Sequence, residues 1–235
     1  MRTEVEELRR QCFLGARFLW RELRELYGHV SCRLPSGEGF LLMMVRVPVA
    51  PFDPDEVLTF DYAGNKLAGA QPPPYELCLH TEIYRRLPHV QAIVHTHPHV
   101  ATALSTTGRT IFALTHQSKQ FGTGIPIFKG DFITTPELGQ ELAECLGDAP
   151  AALMKGHGAV VVGRHVPEVI TTMIYLEQAA KQIVWASVVG QPEVLPPRLR
   201  EYRFDEERRG SGDTNLWRQL VWEWETGQAP RLPDE

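Results

Sequence analysis

The sequence predicts an α/β domain, and three observations carry that prediction. Stretches with apolar residues at three- and four-residue steps alternate with short runs rich in Val, Ile, Leu and Met, so helices and strands interleave. Gly and Pro of turn type punctuate the boundaries between them. A chain of 235 residues with 43% hydrophobic content can bury one substantial core, which favours a single domain.

Residues 3–27 set Val5, Leu8, Cys12, Ala16, Leu19, Leu23 and Leu26 on one helical stripe, which Gly28 can end. Residues 39–45 read as a strand, and residues 55–62 as another, closed by the turn Ala63-Gly64-Asn65. Pro72, Pro73 and Pro74 break the chain before a helix over 75–87. An apolar run over 90–94 reads as a buried strand that continues into His95-Thr96-His97. Pro98 stops it and a short helix over 99–105 follows. Residues 110–115 read as a further strand, ending in Gly122-Thr123-Gly124, and 136–146 as a helix with Thr135 as N-cap. Residues 151–163 are apolar apart from Lys155-Gly156-His157-Gly158, and 167–189 form the longest helical pattern, with Pro167 in its first turn.

These elements assign residues 1–193 to the body of the domain. Residues 194–235 read as a proline-rich, then strongly charged, C-terminal extension. Within it, Trp217, Leu220, Val221 and Trp224 form a short helical stripe expected to pack on the body or on a neighbouring subunit.

The net charge of −5, with no Lys/Arg stripe, argues against a nucleic-acid partner held by phosphate neutralisation. No apolar run approaches bilayer length, so no membrane association is expected. The start, MRTEVEELRR, lacks the apolar segment of a secretory leader. Cys12, Cys32, Cys78 and Cys145 form no C-x-x-C pair, which suits reduced thiols and a cytoplasmic location.

Residues i and i+2 of a strand share a face, so His95 and His97 can aim two imidazoles at one point. His157, between Gly156 and Gly158, can supply a third, because flanking glycines let the backbone approach a crowded centre. Three neutral nitrogens with a fourth position left to water, substrate or Glu76 match an open, catalytic divalent-metal site. Three imidazoles suit zinc first, with manganese, cobalt or iron as alternatives.

The motifs Gly28-His29-Val30-Ser31-Cys32-Arg33, Glu76-x-x-x-His80, Val94-His95-Thr96-His97 and Gly156-His157-Gly158 occur in one order. From about residue 8 to residue 190 the chain thereby resembles the class II aldolase/adducin family. The resemblance implies a three-layer α/β/α fold around a central, mostly antiparallel sheet. It implies His95, His97 and His157 as ligands of a divalent metal and Glu76 as the acid/base residue or a fourth ligand. It also implies a small-molecule substrate and a homotetramer with active sites at subunit interfaces.

The chain departs from the sugar-phosphate members of that family where they hold phosphate. Their Gly-Asn-x-Ser turn reads Gly28-His29-Val30-Ser31, their Pro-Ser-Gly loop is replaced by residues 45–50, and their Ser-Ser pair by Pro74-Tyr75. Arg46 there offers a fork suited to a carboxylate, and Tyr75 a flat wall. This set is most similar to the branch that decarboxylates hydroxylated aromatic or heteroaromatic acids through a metal-stabilised enolate. The resemblance also admits retro-aldol cleavage, an iron-dependent oxygenase, and an adducin-like interaction module.

Plainer readings stand beside these roles. Glu76 could be a carboxylate favoured by a helix dipole. His29 lines the pocket or packs, Arg46 anchors substrate or forms a surface ion pair, and Tyr75 is pocket wall or core. His80 reads as an orienting neighbour of the site. His89, His99, His116 and His165 read as surface positions, and Glu82 as part of a salt-bridged surface.

Overall fold

A computed structural model of the chain describes residues 3–24, 26–45, 53–201 and 212–227. The first helix, α1 (Glu4–Leu23), begins on a reciprocal cap: the Thr3 hydroxyl accepts from the Glu6 N–H, and the Glu6 carboxylate accepts from the Thr3 N–H. It ends at Arg24, whose φ of 55° and ψ of 32° form a left-handed stop. Gly28, expected to end the helix, instead opens β1 (Gly28–Arg33). Its φ of +133° suits glycine, and a Cβ there would lie 2.4 Å from the His95 carbonyl oxygen.

The strand β2 (Phe40–Met44) pairs antiparallel with β1. The strand expected over 55–62 is shorter than predicted: β3 is Leu58–Phe60, preceded by a 3-10 turn at Pro54–Glu56. Side chains explain both ends. Asp53 accepts the Asp55 N–H, and Asp61 accepts the N–H groups of Ala63 and Asn65, so local turns outcompete the ladder. The strand β4 (Lys66–Ala68) then forms the sheet edge.

Next come α2 (Leu77–Arg86), β5 (Ala92–Thr96) and α3 (His99–Thr106). Residues 110–115 form no strand. Ile111 and Ala113 turn inward, but their partners are Ile125 and Gly122 across a 3-10 turn at His116–Phe121, away from the sheet. The two-residue strand β6 (Ile127–Phe128) was not predicted. The helix α4 (Pro136–Leu146) has Thr135 as its cap, accepting from the Leu138 N–H. The hairpin β7 (Ala151–Met154) and β8 (Gly158–Gly163) leads to α5 (Val166–Val189) and the short α6 (Pro197–Arg200). Last is α7 (Gly212–Thr226).

The eight strands among the described residues run in the order β4-β3-β2-β1-β5-β8-β7-β6. Every neighbouring pair is antiparallel except β6 with β7, which is parallel. Two cores sandwich this sheet. On one face Val94, Ala159 and Val161 pack with Phe18, Ile170 and Met173 from α1 and α5. On the other, Ile93 and Val160 pack with Leu79, Ile83 and Leu142 from α2 and α4. The result is a three-layer α/β/α domain around a mostly antiparallel sheet. The central strand β5 is buried on both faces, which is why its sequence reads as an unbroken apolar run.

The Trp217 stripe of α7 packs on the body of the same protomer. Trp217 meets Phe18 edge-on at 5.2 Å between ring centroids, Trp224 meets Phe13 at 6.1 Å, and Leu220 is 2% exposed. Full burial of Leu220 contributes about 1.5–3 kcal/mol, and with Trp217 packed partly buried beside it α7 joins the first core. No described helix is long and apolar enough to cross a membrane.

Candidate metal centre

Four residues distant in the chain meet where β5, β8 and the start of α2 converge. Along β5, His95 has the parity of Ile93 and so points to the α2/α4 face. The strand stops at Thr96, and His97 is the first residue beyond it, before Pro98. Pairing of Met154 with Gly158 closes the β7–β8 hairpin over Lys155-Gly156-His157, and the His157 N–H donates to the Met154 carbonyl at 3.0 Å. Glu76 occupies the N-cap position of α2, with its Oε1 accepting the Ile133 N–H at 3.1 Å. One ligand atom from each of Glu76, His95, His97 and His157 lies within 4.8 Å of the others.

Such crowding requires Gly158. A Cβ there would stand 2.4 Å from the Thr96 carbonyl oxygen, 3.0 Å from His97 Cδ2 and 3.3 Å from His95 Cε1. The glycine that follows His157 thus makes room for the other two imidazoles.

The hydrogen-bonding pattern tests whether a cation suits the cluster. The Nδ1 of His95 lies 3.0 Å from the Ala159 carbonyl, which can only accept, so Nδ1 carries the proton. In neutral His95 the Nε2 is then a bare lone pair, and it faces Glu76 Oε2 at 3.3 Å. His157 Nε2 lies 3.4 Å from the same oxygen. Both Nε2 atoms are buried without a hydrogen-bond partner. At His95 two electron-rich atoms face one another, and a cation between them removes the conflict.

The titration behaviour carries the same tension. Burial alone would raise the Glu76 carboxyl, but the imidazoles of His157 and His95 beside it hold it well below the ordinary carboxylate range. Burial drives His95 toward its neutral form, while Glu76 pulls the other way. A divalent ion satisfies both demands: the carboxylate stays ionised and the imidazoles stay neutral.

Behind the cluster lies a buried polar chain. The antiparallel register sets His29 on β1 directly opposite His95 on β5, with ring centroids 5.6 Å apart. His29 in turn meets His80 edge-on at 5.4 Å. His80 Nδ1 shares a hydrogen bond with Ser31 Oγ at 2.7 Å, and Ser31 Oγ another with the Tyr84 hydroxyl at 2.8 Å. His29 is therefore buried between two imidazoles, and burial holds it well below its ordinary value.

Burial likewise lowers His80, to about 3. Between about pH 6.5 and 3 the unfolded chain binds a proton on this imidazole that the folded chain refuses, so acidification favours unfolding. Above 6.5 the effect vanishes. Denaturant titrations of the metal-free protein at pH 7.5 and 5 should show stability falling with acid. His80→Gln should flatten that slope by roughly one proton, about 1.4 kcal/mol per pH unit.

Other sequence-predicted residues fall elsewhere. Tyr75 is 94% exposed, so it forms no pocket wall or core within this protomer. Arg46 lies outside the described residues, as does most of the 45–50 segment. His89, His99, His116 and His165 are exposed, and the Nδ1 of His165 also accepts the Glu168 N–H to cap α5. Glu82 is buried rather than superficial, with its carboxylate 2.8 Å from the Arg85 guanidinium.

Two contributors have no motif in the sequence. Phe132 lays its ring 4.4 Å from that of His157, and the Ile133 N–H fixes Glu76. Any residue could donate that N–H, so no residue type marks it.

A mostly antiparallel sheet between helical layers, with three histidines and a glutamate gathered at its strand ends, defines an α/β protein built around a metal-competent centre. Residues 15–184 match the Class II Aldolase and Adducin N-terminal domain, and the chain belongs to that family. It is 29% identical over 170 residues to a 3,4-dihydroxyphthalate decarboxylase of Arthrobacter keyseri, covering 66% of this chain and 68% of that protein. It is 29% identical over 171 residues to a 5-methylthioribulose-1-phosphate/5-deoxyribulose-1-phosphate aldolase of Rhodospirillum rubrum, covering 72% of this chain and 76% of that protein. Among solved structures, an L-fuculose 1-phosphate aldolase from Glaciozyma antarctica superposes with a TM-score of 0.77 at 21% identity. That match covers 96% of this chain and 92% of the other, and shows a shared fold.

Proposed function

We propose that the protein is a divalent-metal-dependent carbon–carbon lyase that decarboxylates a hydroxylated aromatic or heteroaromatic carboxylic acid. The observation that carries the metal requirement is the His95 lone pair facing the Glu76 carboxylate at 3.3 Å. His95, His97 and His157 would hold the ion, zinc by preference, with manganese, cobalt or iron as alternatives. When bound, the ion supplies Lewis-acid stabilisation of the charge that builds on a substrate oxygen beside the scissile bond.

The protein's own groups do the rest. Glu76, pinned by the Ile133 N–H, accepts the proton of the substrate hydroxyl and returns it to the carbon left by carbon dioxide. The Ala159 carbonyl keeps His95 in the tautomer that presents Nε2. His29, Arg46 and Tyr75 replace the phosphate cradle of sugar-phosphate members: Arg46 would contact a planar acid, Tyr75 would do so from a subunit interface, and His29 would back the site from behind His95. The resemblance to a decarboxylase of a dihydroxylated aromatic acid supports this choice of substrate.

The similar aldolase favours a second reading, retro-aldol cleavage at the same centre. Incubating metal-loaded protein with hydroxylated aromatic acids and with sugar phosphates separates the two. Carbon dioxide release from an acid is expected. Aldehyde release from a phosphorylated sugar, with no carbon dioxide from any acid, would overturn the decarboxylase assignment. Metal analysis should find about one divalent ion per chain. We further infer a cytoplasmic homotetramer whose interfaces cover the active sites. The exposed Tyr75, next to Glu76, supports an interface there, and sedimentation of the full chain tests it.

A further inference from the structure

We propose that Glu177, in the middle of α5, is a positioning residue for His97. The inference rests on the metal-centre reading above, and the experiment below separates the failure of one from the failure of the other.

His97 lies past the end of β5. On its N-terminal side the backbone is fixed, because Thr96 pairs with Gly28 of β1 and Ala159 of β8. On its C-terminal side it enters α3 through Pro98, whose side chain makes no capping hydrogen bond. The first turn of α3 therefore has N–H groups that its own cap cannot satisfy.

Glu177 satisfies them from another helix. Its carboxylate accepts the Val100 N–H at 3.1 Å on each oxygen and the Ala101 N–H at 3.0 Å. Glu177 is only 3% exposed, and its nearest cation, Lys181, stands 3.6 Å away one turn along α5. A carboxylate so buried is costly unless hydrogen-bonded, and the helix start is incomplete without an acceptor. Each requirement is met only in one relative placement of α3 and α5. That placement fixes the chain three residues after His97, so His97 is held between two anchors, the sheet at Thr96 and the Glu177 carboxylate at Val100.

The contact sits beside His97, at the N-terminal end of α3; the far end of α3 touches the His157 turn, where the Ser105 Oγ accepts the Gly156 N–H at 2.9 Å. His95 lies within β5, His157 on the β7–β8 turn and Glu76 at the start of α2. Loss of Glu177, which anchors the N-terminal end of α3, should therefore act on the metal first through His97.

The test is a zinc affinity measurement by competition with a chromophoric chelator, on Glu177→Ala and Glu177→Gln, each in the wild-type and His97→Ala backgrounds. Cobalt(II) absorption spectra are taken alongside. Glu177→Ala should weaken zinc binding by about 10–100-fold, and Glu177→Gln, which keeps one acceptor oxygen, by less. The cobalt spectrum of Glu177→Ala should shift toward that of His97→Ala. In the His97→Ala background either Glu177 change should weaken zinc by much less, because the residue it positions is gone and only the Ser105 contact with the His157 turn remains.

Equal losses in both backgrounds, or unchanged zinc affinity in both variants, would overturn the proposal. Glu177 would then be a helix staple alone. If Glu177→Ala fails to fold, the glutamine variant carries the comparison. Absence of zinc binding by the wild-type chain would overturn the metal-centre reading and this inference with it.

Discussion

His157→Ala should lower kcat/KM by at least about a thousandfold and leave the purified protein with less than one metal ion per chain. The centre offers three imidazole nitrogens, and this change removes one whose Nε2 is buried without another partner. Lewis-acid stabilisation of a developing oxyanion contributes several kcal/mol, and each 1.36 kcal/mol is tenfold in rate, so losing it costs about three powers of ten. The fold should survive. His157 sits on a turn, partly buried, and the hydrogen bond that closes the turn uses its backbone N–H, which alanine keeps. Circular dichroism and thermal melts should therefore match wild type while metal content and rate fall together. Full activity with a full complement of metal would remove His157 from the site.

The cluster is legible in the sequence because its members follow local rules. Period-2 geometry announces the His95/His97 pair, flanking glycines announce His157, and a helix start beside the strand end announces Glu76. The α/β class follows from helical and strand periods in alternation, whereas the three-layer, mostly antiparallel arrangement is legible only through the family resemblance. What the sequence hides depends on contacts between distant segments. Gly28 reads as a helix stop, yet the left-handed stop falls on Arg24 and Gly28 is needed for the approach of β1 to β5. Residues 110–115 have the composition of a strand, but nothing local says that they pair with residues 122 and 125 instead of the sheet. The Ile133 N–H and the Ala159 carbonyl are backbone groups, which any side chain could accompany. Tyr75 shows the limit differently: its position beside Glu76 is clear from the sequence, whereas its exposure depends on the chain fold around it.

Glu76→Gln should separate the two readings of that glutamate. As a helix-terminal carboxylate only, it would contribute about 0.3–1 kcal/mol of stability through the dipole, and its loss would leave the rate alone. As the group that takes and returns the substrate proton, its loss should lower kcat by about 10²–10⁴-fold. Glutamine is nearly isosteric, and its carbonyl can still accept the Ile133 N–H, so the start of α2 should stay in place. The amide differs where it meets the histidines. Its NH₂ can donate to the bare Nε2 of His95, where the carboxylate opposes one lone pair with another at 3.3 Å. The metal-free variant should thus be at least as stable as wild type while its turnover collapses, the sign of a residue retained for chemistry at the expense of stability. Thermal melts of the metal-free proteins, set beside kcat of the metal-loaded ones, read both effects. A kcat within about threefold of wild type would deny Glu76 the proton-transfer role. A marked fall in stability would show that the carboxylate is held at α2 for the fold.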